Sequence, residues 1–173
     1  ELGLPEVPVI AVGTHDTASA VVAAPAEEAD FVYISCGTWS LFGTESAVPV
    51  LTPESEAFNF TNEGGYAGTT RLLKNIMGLW LIQESRRQWK REGEEVSFNQ
   101  LEQEALASKP FQCFVDVDAP EFEGPGDLPG NVKEYCRRTG QHVPETRGEV
   151  MRCIYESLAM KYRHAMEEIK ECT

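Results

Sequence analysis

The stretch VPVIAVGTHDTASAVVAAP, residues 7–25, does most to limit what this chain can become. Val7 to Val12 reads as a strand, and it stops at Gly13. Three polar residues follow, Thr14, His15 and Asp16, and the Ala- and Val-rich run beyond them reads as a short helix packed closely under a sheet. A strand that passes directly into a helix is the building unit of α/β folds, and ligands in open α/β sheets bind where strands end. The junction has an equally simple structural reading, because Asp ahead of an apolar helical run is a good N-cap. The two readings are compatible: a carboxylate kept ionised at a helix N-terminus can also accept a proton from a substrate hydroxyl.

The rest of the chain continues the α/β pattern. DFVYISCGTWSLFGTES, rich in aromatic and β-branched residues, predicts two strands around Gly37 and Thr38. EAFNFTNEGGYAG reads as extended up to a turn at Gly64 and Gly65. TTRLLKNIMGLWLIQESRRQWKREG carries the strongest helical pattern, with Leu72, Leu73, Ile76, Met77 and Trp80 at steps of three and four and basic residues collected at its C-terminal end. On that single helix Asn75 and Gln83 would interrupt the apolar region about 80° apart. SFNQLEQEALAS predicts a further helix capped by Ser97. Residues 110–130, dense in Pro, Gly and Asp, read as an ordered surface excursion with one short strand. NVKEYCRRTG is a short helix stopped by Gly140. Thr146 opens a long helix, with Glu149 completing a capping box and Val150, Ile154, Leu158 and Tyr162 forming its apolar stripe.

With 173 residues the chain suits one domain with one core. Its 15 Lys and Arg stand against 28 Asp and Glu, a net charge of −13, and the basic residues cluster only in RRQWKR, Arg86 to Arg91. Nucleic-acid binding is excluded on that ground, because affinity for a phosphate backbone needs clustered cations. A single nucleotide is still compatible, since backbone N–H groups and a divalent cation neutralise phosphate locally. No apolar run approaches the roughly 20 residues that span a bilayer, and the expectation is a soluble, cytoplasmic protein. The five cysteines, Cys36, Cys113, Cys136, Cys153 and Cys172, have no CxxC spacing. Cys136 and Cys153 fall on neighbouring predicted helices, a placement compatible with a bridge. The chain starts without methionine and ends inside a charged helical pattern, so a piece of a longer protein is expected.

Two further stretches could carry chemistry. In SCGTWS, Ser35 to Ser40, Gly37 and Thr38 read either as an ordinary turn or as a phosphate-binding turn in which Gly37 lets backbone N–H groups approach an oxyanion and Thr38 adds a hydroxyl. In NEGGYAGTTRLLKNIMGLWLIQE two glycines precede the helical pattern, yet neither GxGxxG nor GxxxxGK followed by Ser or Thr is present. Asn75 and Gln83 there either satisfy backbone groups or face a cleft.

The order of these pieces is more specific than any one of them. GTHDTASAV, then YISCGTWSLFG, then NEGG leading into LLKNIMGLWLIQE resembles the rhamnulokinase group of the FGGY carbohydrate kinases over essentially the whole chain. The resemblance implies an α/β fold, the C-terminal lobe of the actin-like ATPase, ribonuclease-H-like architecture, with a mixed sheet packed with helices. It implies one incomplete domain over residues 1–173, lacking the N-terminal lobe and the final adenosine-binding segment, and a fragment inactive by itself. It implies ATP-dependent phosphorylation of L-rhamnulose to L-rhamnulose 1-phosphate in L-rhamnose catabolism, with Mg²⁺ accompanying ATP. By matching residues, Asp16 would be the catalytic base, His15 would contact the sugar, and Gly37, Thr38, Asn75 and Gln83 would contact the nucleotide. No metal ligand is assigned. Partners are the ketose, ATP and ADP, and the missing N-terminal lobe. A sister kinase for L-fuculose or another ketose, and a non-catalytic sugar- or nucleotide-binding sensor, remain as alternatives.

Overall fold

The computed structural model describes residues 7, 8, 10, 16–28 and 30–173. The strand expected over residues 7–12 lies largely outside them, as do Gly13, Thr14 and His15. The described chain is α/β. It opens with helix α1 (Asp16–Val22), strands β1 (Val32–Cys36) and β2 (Trp39–Ser46), the one-turn helix α2 (Pro53–Ala57) and strand β3 (Thr61–Gly64). After a 3₁₀ turn at Tyr66–Gly68 come β4 (Thr70–Met77) and the helices α3 (Trp80–Arg91), α4 (Phe98–Ala107), α5 (Leu128–Arg138) and α6 (Arg147–Cys172). The four strands form one sheet in the order β1-β2-β4-β3, each neighbouring pair antiparallel.

The long helix expected over residues 69–93 is instead a strand followed by a helix. β4 is central, paired with β2 on one side and β3 on the other, and it is covered on both faces, so Leu72 and Leu73 are both fully buried, as is Ile76. A strand buried on both faces has no reason to alternate, and its apolar pairs imitate helical spacing. Gly78 ends the strand, and the helix proper starts at Trp80. Asn75 and Gln83 therefore do not share a helix: one is on β4, the other on α3.

Alternate residues of β4 face opposite layers. Lys74 lies on the α6 side, where its Nζ meets Glu168 Oε2 at 2.6 Å. That side holds the main core, built from Phe42, Leu72 and Ile76 of the sheet and the buried faces of α3, α4, α5 and α6. Gly148 lets α6 press on α4, since a Cβ there would lie 2.5 Å from Glu104 O. α1 packs against β1 apart from this core, burying Ala18 and Val21.

The helix caps expected at Ser97 and Thr146 are present as capping boxes with Gln100 and Glu149. α5 starts earlier than expected, at Leu128, with Asp127 accepting from Gly130 N. Residues 110–130 contain no strand and are no surface excursion, for Cys113, Val115, Val117 and Phe122 are all buried. Their alternation reads as a strand, but side chains take the place of a strand partner. Ser157 Oγ accepts from Val115 N at 2.9 Å, and Gln141 bonds both N and O of Phe114 at 2.8 Å. All five cysteines are free thiols. Cys136 and Cys153 do meet, and Cys113 joins them; S–H groups of Cys113 and Cys153 hold the Cys136 thiol well below its ordinary pKa while their own are pushed up.

Candidate active site

The β1–β2 turn does not stand free. Gly37 O accepts from Leu79 N at 2.9 Å, and Thr38 O accepts from Gly78 N at 3.1 Å and Trp80 N at 3.2 Å. These donors belong to the entry of α3, so the turn is the cap of that helix. The N–H groups of Gly78, Leu79 and Trp80, which lead into the helix, are thus spent on carbonyls of the turn. What the corner offers outward is the turn itself, with Gly37 and Thr38 both exposed.

The two glycines of this corner differ. A Cβ at Gly78 would lie 2.6 Å from Ser40 Oγ and 2.8 Å from Ser40 N, so glycine is demanded by the close approach of two backbones. A Cβ at Gly37 would meet only Trp39 O, at an ordinary 3.6 Å. Packing thus explains Gly78 and leaves Gly37 unexplained by the fold.

Asn75 and Gln83 flank the same corner from its two arms. Asn75 sits opposite Leu41 in the ladder, exposed, on the face of β4 away from Lys74 and α6. Gln83 is half-buried one turn into α3, its N–H donating to Leu79 O at 2.9 Å. Gly37, Thr38, Asn75 and Gln83 are therefore brought to one end of the sheet. Asp16 stands on a separate element, exposed at the start of α1, where its Oδ1 accepts from Thr17 N at 2.8 Å. α1 packs on β1 and on the 3₁₀ turn at Tyr66–Gly68. Asp16 is thus the first residue of the helix, its printed bond going to the next N–H, and the residue is exposed. His15 lies outside the described residues.

The corner is braced by residues the sequence analysis assigns no role. Ser40 Oγ and Tyr162 Oη are 2.6 Å apart, joining β2 to α6 just behind the turn. Asp118 Oδ1 accepts from Met77 N, the last residue of β4, at 2.7 Å. Lys161 reaches Asp118 Oδ2 at 2.8 Å and Asp116 Oδ1 at 3.0 Å; burial works against its ammonium, yet the two carboxylates outweigh it and hold the pKa above that of ordinary lysine. One residue past Gln83, buried Glu84 accepts from Arg91 at 2.9 Å, Arg87 at 3.2 Å and Gly126 N at 3.3 Å. Burial would raise the Glu84 pKa, and those donors, Arg91 first, lower it below the usual carboxylate range. Glu84, Arg87 and Arg91 at helical spacing are visible in QESRRQWKR; Asp118, 41 residues from Met77, has no such local signal. The RRQWKR segment is consumed by these and similar contacts and forms no free basic patch.

The side-chain donors at the corner suit phosphate or base atoms, a hydroxyl at Thr38 and amides at Asn75 and Gln83, while the Gly37 N–H is spent on Trp39 O at 2.8 Å. Among the described residues the one cluster that could hold a metal ion is the cysteine group, remote in chemistry from Mg²⁺. A nucleotide's Mg²⁺ is commonly held by phosphates and water with few protein ligands, so the residues fit a nucleotide whose metal arrives with it.

Fold and corner together define an α/β domain with polar groups gathered at one end of its sheet. The chain belongs to the FGGY family of carbohydrate kinases: residues 32–173 match the family's C-terminal domain. The fold is accordingly that of the family's C-terminal domain, α/β with helices packed on a sheet that, among the described residues, is antiparallel throughout and not the mixed sheet expected. The chain is 50% identical over 168 residues to a rhamnulokinase of Bacteroides thetaiotaomicron, covering 97% of this chain and 34% of that protein. It is 44% identical over 170 residues to a rhamnulokinase of Bacillus subtilis, covering 98% and 34%. The chain thus spans about a third of the length of these relatives. Among solved structures, the xylulose kinase of Bifidobacterium adolescentis aligns with a TM-score of 0.48 at 18% identity, over 82% of this chain and 26% of its own.

Proposed function

We propose that the full-length protein containing this chain transfers the γ-phosphoryl group of ATP to the 1-hydroxyl of L-rhamnulose, as a cytoplasmic enzyme of L-rhamnose catabolism. The observation that carries the reading is the 50% identity to a rhamnulokinase across 97% of the chain. In this reading the sugar oxygen bonds to the γ-phosphorus as the bond from that phosphorus to the bridging oxygen breaks, and ADP leaves. Asp16 accepts the hydroxyl proton and, as important, aims the oxygen, because a loose phosphoryl-transfer transition state rewards alignment above all. His15 hydrogen-bonds the sugar beside it. Thr38 holds phosphate oxygens at the turn that Gly37 opens to them; Asn75 and Gln83 contact the nucleotide. Mg²⁺ bound with ATP supplies charge neutralisation on the phosphates. The N-terminal lobe closes the other side of the cleft, so the isolated chain is expected to be inactive.

The test is coupled ADP release by the full-length protein with Mg-ATP and L-rhamnulose, L-fuculose or L-xylulose, with Asp16→Asn in parallel. Turnover on L-rhamnulose that the variant loses supports the substrate and the base together. Preference for another ketose overturns the substrate; near-normal turnover by Asp16→Asn overturns the base.

A further inference from the structure

The chain's three tryptophans are used differently. Trp89 is buried in the main core, and Trp80 gives its indole N–H to Phe122 O at 3.0 Å. Trp39, directly after Thr38, is 49% exposed. The direction of its side chain follows from the strand. In β2, Ser40 faces α6 through its bond to Tyr162 and Phe42 does so as part of the main core, so Trp39 and Leu41 face the other way. That opposite face has its own buried set, Ala18 and Val21 of α1 together with Tyr33 and Leu73, which flank Gly43 in the ladder. Burial ends there. One row nearer the turn Leu41 is half-buried and Asn75 is exposed, and at the turn itself stands the open indole.

We propose that Trp39 is a substrate-binding residue whose indole packs against a C–H face of the acceptor ketose, an inference that rests on the sugar-kinase function proposed for the full-length protein. In an in-line transfer the attacking and leaving oxygens lie on opposite sides of the phosphorus. With phosphate oxygens held at Thr38, the turn is the boundary between donor and acceptor. Gln83, assigned to the nucleotide, is on α3, whose Leu81 and Ile82 enter the core on the α6 side of the sheet. Asp16, the proposed base, is on α1, in the layer on the other side. Trp39 faces that second layer, so its ring stands on the acceptor's side of the turn. A ketose carries hydroxyls at its edges and C–H groups on its faces, and an aromatic ring in a polar site takes the C–H face while the hydroxyls find donors and acceptors. The residue is also well held for this, since Gly37 N donates to Trp39 O at 2.8 Å and Trp39 pairs with Met77 of β4. A rigid aromatic surface loses little side-chain freedom on binding.

The experiment compares the full-length parent with Trp39→Ala and Trp39→Phe. The KM values for ketose and for ATP are read by coupled ADP release, and the binding of L-rhamnulose, L-fuculose and L-xylulose without nucleotide by isothermal titration. The expected result is a ketose KM and Kd raised about tenfold or more in Trp39→Ala and by less in Trp39→Phe, which keeps an aromatic ring, with the KM for ATP and the Tm near the parent's. Should Trp39→Ala fail to fold, Trp39→Phe carries the test through a weaker ketose Kd at unchanged Tm. A rise confined to the KM for ATP gives the indole to the nucleotide, alongside Asn75 on the same face, and overturns the proposal. Equal rises in both KM values with a lowered Tm make Trp39 a contact of the N-terminal lobe and overturn it too, as does a parent that binds none of the ketoses. Turnover with an unchanged ketose KM in Trp39→Ala sinks this inference and leaves the proposed function standing; ketose binding that depends on Trp39 without phosphoryl transfer does the reverse.

Discussion

The turn end of the sheet and the helical layer behind it treat polar side chains in opposite ways. In the helical layer buried charge is answered: Glu84 by Arg87, Arg91 and Gly126 N–H, Lys74 by Glu168, and Lys161 by Asp116 and Asp118. Arg147 likewise joins α6 to Glu104 of α4 at 2.5 Å. At the turn end Thr38 and Asn75 face solvent, fixed on a backbone corner that is itself tightly bonded. Rigid backbone carrying outward-facing donors is what a binding site requires, whereas paired charge under a helix layer serves to hold that backbone still. The difference separates residues to be read for function from residues to be read for stability, and it can be attacked from either side.

The largest effect expected is on Asp16. In the full-length protein Asp16→Asn should cut kcat by roughly 10² to 10⁴, the usual range for a general base, and leave Tm nearly unchanged because the Asn side-chain oxygen can accept the same bond from Thr17 N. A Tm loss matching the activity loss would reduce Asp16 to its role at the helix start. Next come the two glycines. Gly78→Ala forces a Cβ against Ser40 and should cost about 1–3 kcal/mol in urea unfolding. Gly37→Ala has room and should leave stability alone while raising the KM for ATP; equal stability losses at both positions would erase the contrast.

Thr38→Val should raise the KM for ATP about tenfold or more, as expected for a lost hydrogen bond to a charged group, with little change in the KM for the sugar. Glu84→Gln should do the reverse, costing about 1–2 kcal/mol of stability with ATP binding intact. Because the folded-state pKa of Glu84 is depressed, its contribution is present above the unfolded carboxylate value, near 4.3, and is lost as pH falls through the folded one. The parent's advantage over Glu84→Gln should therefore shrink in acid; an advantage that grows below pH 4 would contradict the pairing. Tyr162→Phe, losing the bond to Ser40, should cost about 1 kcal/mol and marks the small end of the scale.

How far such a contrast can be read without coordinates depends on the range of the interactions. Ser97 and Thr146 announce their helices because a capping box spans only four residues. The β1–β2 hairpin is legible from its β-branched and aromatic run, and Gly37 and Thr38 from the turn within it. β4 is not legible as a strand: its apolar pairs fit a helix equally well, and only pairing with β2 and β3 buries both faces and settles the matter. The internal Gly78, costly in a helix by about 1 kcal/mol, was the local sign against a continuous one. The segment over residues 113–117 errs the other way, since extended alternation reads as a strand whether its partners are backbone or the side chains of Ser157 and Gln141.

The sequence by itself determined the α/β class, the caps, the turn at Gly37 and Thr38, and the family, because each rests on residues near one another in the chain or on their order along it. Only the tertiary structure decided that Asn75 and Gln83 lie on the two arms of the strand-to-helix corner that Thr38 bonds, that the turn caps the start of α3, and that three widely spaced cysteines converge. Those are distances across the fold, set by which surfaces pack together, and no local propensity encodes them.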